Sequence, residues 1–244
     1  SEMLWLVALG ALCNVLMVVT GYGMTHGKAR QERAFSMINL SGYNIGTFAM
    51  PFVAGFLPPT GFLATCLFDA GNAIMCTGGT YALANSVTDA SQHLSIKSFL
   101  RNVFSSIPFC IYLIMIVMAF LHLALPHPVI IFTKIAGDAN AFLCMLMIGV
   151  NINLQMDSKS FRCLIKHITV RYALSAVLAF LFYRYLPFSL EIRQAMAVIA
   201  LAPSSSLALI FTMKLKGDVI MAGNICSLSI LLSTIAMTIL LVYL

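Results

Sequence analysis

A bilayer-length apolar run that cannot form one uninterrupted helix is the feature that most restricts this chain. The run extends from about Ile38 to Leu57 and reads NIGTFAMP from Asn44 to Pro51. Hydrocarbon supplies no hydrogen bonds, so a spanning segment of roughly 20 residues normally satisfies its backbone by helical bonds alone. Here Pro51 lacks an N–H and its ring clashes with the carbonyl four residues back, while Gly42 and Gly46 weaken the helix ahead of it. The same difficulty recurs at Ala202 to Ser206, APSSS, inside the apolar run from Met196 to Met213. Two interrupted spans, each with small polar residues beside its proline, point to a carrier whose binding site lies near mid-membrane.

Composition agrees. The 244 residues are 61% hydrophobic and 9% charged, with a mean hydropathy of +0.97, which is too apolar for a water-soluble domain and predicts an all-α polytopic membrane protein in a lipid bilayer. The net charge of +6 does not signal nucleic acid, because it comes from short loops between apolar runs and no basic face or aromatic RNA motif accompanies it. The seven cysteines form no CxxC pair and read as small buried hydrophobes rather than a disulfide or zinc framework. Nothing at the start of the chain reads as a signal peptide, and no cofactor is expected.

Eight transmembrane helices are expected, at about 3–20, 38–57, 61–84, 105–124, a fifth ending near Met156, 168–186, 194–213 and 219–243. The loops after the odd-numbered spans hold Lys28, Arg30, Arg33, Lys97, Arg101, Lys159, Arg162, Lys166, Lys214 and Lys216, and Arg171 sits just inside the sixth span. The other side has Lys134, Arg184 and Arg193. Eleven of the 14 basic residues against three place the odd-numbered loops inside and the N-terminal end of the chain outside, in a cell membrane. Tyr183, Tyr185 and Phe188 suit an interfacial aromatic belt near the outer turn.

One broken span is second of the first three and the other is fourth of the last five. An inverted repeat of five plus five, ten helices with two crossed Pro-broken ones, then expects two further spans ahead of Ser1.

NIGTFAMP also resembles the Asn-x-Gly-x-x-Gly-x-Pro signature of the auxin efflux carrier family of permeases, with Ala49 where that family usually has Gly. APSSSLALIFTMKLKGD resembles the family's late broken helix, basic turn and Gly-Asp, and MIGVNINL at 147–154 and LSILLSTIAMTIL at 228–240 resemble its other characteristic stretches. The resemblance covers essentially the whole chain. It implies a prokaryotic permease without the first two family spans, moving small organic anions such as malate, malonate or auxin by an elevator-type alternating-access mechanism. It also implies a transport domain in two parts (1–104 and 157–244) and a scaffold remnant (105–156) that mediates homodimerisation.

A helix broken within the membrane exposes N–H groups at the start of one half, carrying roughly +0.5 charge, and this favours an anion. Neither broken span has Lys or Arg at its centre, so the expectation is a carboxylate held without a fixed cation at that depth. Asn44, Thr47, Pro51, Pro203, Ser204, Ser205 and Ser206 are the candidate substrate-binding residues on the breaks, with Asn72 and Asn224 on neighbouring spans. A blander reading stands beside this one, in which the polar groups only satisfy the kinks and the Gly42–Gly46 pair only packs helices. Asp69 is the candidate for ion or proton coupling, with a solvated interfacial acid as its alternative. Lys134 and Asp138 are spaced to pair on one helix face. The five histidines fall in loops or near span ends, so no metal site is expected.

An intramembrane enzyme is disfavoured, since IAGD and LKGD lack the first Gly of the Gly-x-Gly-Asp context of intramembrane aspartyl proteases, and no Gly-x-Ser-x-Gly, HExxH or P-loop is present. The alternatives kept open are a sodium-coupled organic anion symporter of the bile-acid type and a carrier-like channel or sensor.

Overall fold

The structure, a computed structural model, describes residues 2–88, 104, 107–121, 123–150 and 158–244. These are built from helices, with no strand among them. Helix α1 is Trp5–Met24 and α2 is Arg30–Leu40. A π-helical turn, Ile45–Ala49, runs directly into α3, Met50–Phe56. Helix α4, Pro59–Ile74, continues through a second π-helical turn, Met75–Gly79, into α5, Thr80–Thr88. Then come α6, Ile107–Phe120, and α7, His127–Val150. The chain closes with α8, Ser158–Tyr185, α9, Leu190–Ala200, α10, Leu207–Lys214, and α11, Val219–Tyr243.

Several polar residues lie in the interior while large apolar side chains lie on the surface, an arrangement that suits a hydrocarbon solvent. Asn14, Asn39, Asp69, Asn72, Arg171, Ser204 and Ser229 are buried, whereas Trp5, Leu12, Phe56, Phe180, Ile220 and Val242 are exposed. Along α8 the buried positions Leu164, His167, Ile168, Arg171, Ser175, Leu178 and Phe182 recur every three or four residues, so one stripe of the helix faces inward with its polar residues in the middle. Among the described residues three helices, at Trp5–Met24, Ser160–Tyr185 and Val219–Tyr243, are long and apolar enough to cross a membrane. The chain is therefore compatible with an integral membrane protein.

The interior joins both ends of the sequence. Leu6 and Met17 of α1, Phe48 and Val53 after the first break, Phe68 of α4, Phe182 of α8, Met196 and Ile199 of α9 and Ile230 of α11 belong to one apolar cluster. Helix α1 packs on α2 and α4, α9 packs on α4 and α8, and α11 on α8. The α1–α4 contact is backbone to backbone. A Cβ on Gly10 would lie 2.1 Å from Phe68 O, and one on Gly71 would lie 1.8 Å from Val7 O, so each helix uses a glycine to admit the other's main chain.

The first interruption lies earlier than the proline implies. Helix α2 ends at Leu40, Gly42 takes φ +80°, and the chain is helical again from Ile45 to Phe56, so Pro51 is inside a helix. The π-helical turn explains this. Met50 N–H donates to Ile45 O, closing a wider ring than the α-helical one, which eases the clash between the proline ring and the preceding carbonyls. The second interruption falls at 201–206, as APSSS implies. Helix α8 begins at Ser158, about ten residues before the expected edge of the sixth span, and turns the expected basic loop into its first turns. The loop bearing Asp89, Lys97 and Arg101, the side chains of the MIGVNINL stretch and the Lys134–Asp138 pairing lie outside the described residues.

Candidate functional site

The two interruptions meet. Tyr43 and Ser204 form an antiparallel bridge, in which Asn44 N donates to Pro203 O at 2.8 Å and Ser205 N donates to Gly42 O at 3.3 Å. Backbone groups that two broken helices would leave unsatisfied in hydrocarbon thus satisfy one another. Glycine is required at position 42. Its φ is positive, and a Cβ there would lie 2.9 Å from Ser205 Cβ and 3.1 Å from Cys76 Sγ. Gly42→Ala is expected to cost about 2 kcal/mol from the left-handed backbone and the close contact together, read as a lower melting temperature in detergent.

Side chains from the flanking helices hold each break. At the first, the Asn72 amide pairs with the backbone of Tyr43, Nδ2 donating to its carbonyl at 2.8 Å and Oδ1 accepting from its N–H at 3.1 Å. Asn14 Oδ1 accepts from Gly42 N at 2.8 Å, and Asn14 Nδ2 donates to Asn72 Oδ1 at 3.0 Å. At the second, Ser229 Oγ accepts from Ser204 N at 3.1 Å and lies 2.8 Å from Ser204 Oγ, while Ser233 Oγ donates to Leu201 O at 2.7 Å. These supporting residues come from α1, α4 and α11.

Among the residues expected from sequence, Asn44, Asn72, Pro203, Ser204 and Ser205 are brought together at the crossing, all of them buried. Thr47 Oγ1 donates to Asn44 Oδ1. The other end of that amide, Asn44 Nδ2, is a buried donor without a partner among the described residues. Pro51 stands inside the helix after the break, away from the bridge. Ser206 is exposed, and Asn224 is buried in α11, its own Nδ2 likewise without a partner among the described residues. Asp69 is buried rather than solvated: Asn72 Nδ2 donates to its Oδ1 at 2.8 Å, and a Cβ on Gly46 would lie 3.4 Å from its Oδ2. The carboxylate therefore sits beside the start of the helical segment that follows the first break, where the amide dipoles favour negative charge.

The expectation of no fixed cation at the crossing is corrected. Arg171, with no exposed surface, donates through Nη1 to Leu40 O and through Nη2 to Gly42 O at 2.8 Å and Ala202 O at 3.1 Å. It touches the carbonyl side of both breaks, and its guanidinium lies 5.2 Å from the centre of the Tyr43 ring. The extra turns of α8 are the reason: with the helix starting at Ser158, Arg171 lies about 20 Å along it at 1.5 Å per residue, not at its edge. His167, one turn earlier, is likewise buried rather than peripheral. Its Nδ1–H donates to Cys163 O at 2.8 Å, so its Nε2 accepts from Ser36 Oγ at 3.0 Å. No cluster of metal-ligating side chains occurs among the described residues.

The charges around the first break are ordered. A cation faces the carbonyl end of α2, and a carboxylate faces the amide end of the helix that follows. At the second break Arg171 again faces the carbonyl end, but the start of α10 meets a hydroxyl, with Leu207 N donating to Ser205 Oγ at 3.3 Å. Comparison with protein-family models, with curated proteins and with solved structures found no match for this chain.

Proposed function

We propose that this chain is a membrane carrier of small organic anions, working in the manner of the auxin efflux carrier family it resembles. The observation that carries the proposal is the pairing of two helix interruptions in the interior, with Asn44 Nδ2 beside it as a buried donor that no described residue satisfies. Discontinuous helices crossing in this way are how carriers make a polar site inside hydrocarbon. On this reading the eight spans are α1, α2 with α3, α4 with α5, α6, α7, α8, α9 with α10, and α11. The excess of basic residues in alternate loops puts the N-terminal end outside the cell membrane.

A substrate carboxylate fits best between Asn44 and the start of α10. The start of the helix after the first break already faces Asp69, whereas the second break offers Ser204, Ser205 and Ser206 and an amide end with a partial positive charge. Asp69 then serves as the protein's own carboxylate at the first break, where its protonation would alter the balance of charge. Helices α6 and α7 expose Ile111, Ile114, Val117, Ile131, Phe132 and Ile135, which suits the lipid-facing or dimer-forming scaffold of an elevator. Alternating access is the movement of the crossed helices against that scaffold.

The test is flux of a panel of mono- and dicarboxylates into liposomes, with counterflow. Saturable uptake accelerated by internal substrate is expected, and non-saturating flux would favour a pore. Asn44→Ala removes one hydrogen bond to a charged ligand and should weaken binding of the transported anion by about 1.5–3 kcal/mol, roughly 10- to 150-fold, while the melting temperature changes little, since the protein contact it loses is to the hydroxyl of exposed Thr47. Normal binding by a variant that melts early would assign Asn44 to the kink alone.

A further inference from the structure

The carbonyl ends of two broken helices form a site for a cation, and in this chain the cation is covalently attached. Helix α2 ends at Leu40 and α9 at Ala200, and the carbonyls of Leu40, Gly42 and Ala202 converge on the Arg171 guanidinium. Each helix C-terminus carries about −0.5 charge, so the two together present about −1, which one guanidinium balances. In carriers with discontinuous helices, unwound carbonyls and half-helix C-termini of this kind are where coupling sodium ions bind. A guanidinium stays protonated in a protein, so its charge is permanent. The face of the Tyr43 ring, at 5.2 Å, adds a further favourable contact for a positive group.

We propose that Arg171 is a tethered substitute for a coupling cation: it occupies a latent monovalent-cation site at the helix crossing, and deleting its side chain opens that site to sodium or free guanidinium. The consequence for transport, which rests on the carrier reading above, is that flux needs no sodium. The positive charge stays with the crossed helices instead of being loaded and released in each cycle. Cation binding at the crossing is itself independent of any transported substrate.

The experiment measures the melting temperature of the full chain in detergent, in sodium, potassium, guanidinium or choline chloride at matched ionic strength, with guanidinium kept in the low-millimolar range. The wild type is expected to melt at the same temperature in all four. Arg171→Ala should melt lower, by on the order of 10 °C, and should regain stability saturably with sodium or guanidinium but not with choline. A folded Arg171→Ala that responds saturably to neither ion overturns the proposal, as does a wild type that sodium stabilises saturably. Should Arg171→Ala give no folded protein, Arg171→Lys and Arg171→Met decide. A higher yield or melting temperature for the lysine variant supports a requirement for positive charge, and a lysine variant no better than methionine overturns it. Because no flux enters these readings, loss of the carrier reading in liposomes and loss of the cation site are separate results.

Discussion

Replacing Gly71 with alanine is expected to lower the melting temperature of the purified protein by on the order of 10 °C, a large effect for one added methyl group. The new Cβ would lie 1.8 Å from Val7 O, 2.8 Å from Val7 C and 3.0 Å from Ala11 N. All three are backbone atoms of α1, so no rotamer change relieves the overlap and the helix itself must move. Overpacking against side chains costs about 1–3 kcal/mol, and an obstructing backbone puts this site at the top of that range or beyond it, at about 3–5 kcal/mol. Displacing α1 also carries Asn14 away from Gly42 N and Asn72, so the first break loses support. Gly23→Ala, where a Cβ meets no described atom within 4 Å, is the matched control and should be close to neutral. Gly10→Ala opens the same interface from the other side, so the Gly10/Gly71 double variant should lose less than the sum of the single losses. A Gly71→Ala protein that melts within about 2 °C of wild type would mean that the two helices are not in backbone contact.

The helical class and the existence of two interruptions are legible in the sequence, through the lengths of the apolar runs and the two proline-bearing stretches. Where the first interruption falls is not legible. A proline is visible locally, whereas the π-helical turn that accommodates it depends on how Ile45–Ala49 packs against the surrounding helices. Asn44, Ser204 and Ser205 can be picked out as small polar groups beside a break. Asn14 and Ser229 cannot, since a lone Asn or Ser on an otherwise apolar helix carries no mark of facing a backbone amide rather than lipid. Arg171 is hidden for a different reason. A basic residue near the edge of an apolar run reads as one that sets orientation, and only the helical turns from Ser158 onward, whose Arg162 and Lys166 look like a loop by composition, move it to the interior.

Asn72 is expected to behave differently from Asn44, although the two look alike in the sequence. Asn72 has no unused amide group: Nδ2 donates to Tyr43 O and Asp69 Oδ1, both at 2.8 Å, and Oδ1 accepts from Tyr43 N at 3.1 Å and Asn14 Nδ2 at 3.0 Å. Leucine at this position is close in size and removes every one of these bonds. The backbone N–H and C=O of Tyr43, buried in the first break, would each lose this partner at about 1–3 kcal/mol apiece, and Asp69 would lose a donor to its carboxylate. Asn72→Leu should therefore cost about 3–6 kcal/mol, a loss of melting temperature on the order of 10 °C, and whatever folded protein remains should bind anion poorly because the bridge between Tyr43 and Ser204 is no longer braced. Asn44→Ala, by contrast, removes a donor that has no partner among the described residues and an acceptor only for the hydroxyl of exposed Thr47, which water can replace, so binding falls far more than stability does. Thermal melts and anion-binding isotherms of the two variants side by side separate brace from ligand contact. An Asn72→Leu protein as stable as wild type would show that Tyr43 is held by the crossing backbone alone, and equal losses of stability in both variants would remove the distinction on which the placement of the anion at Asn44 rests.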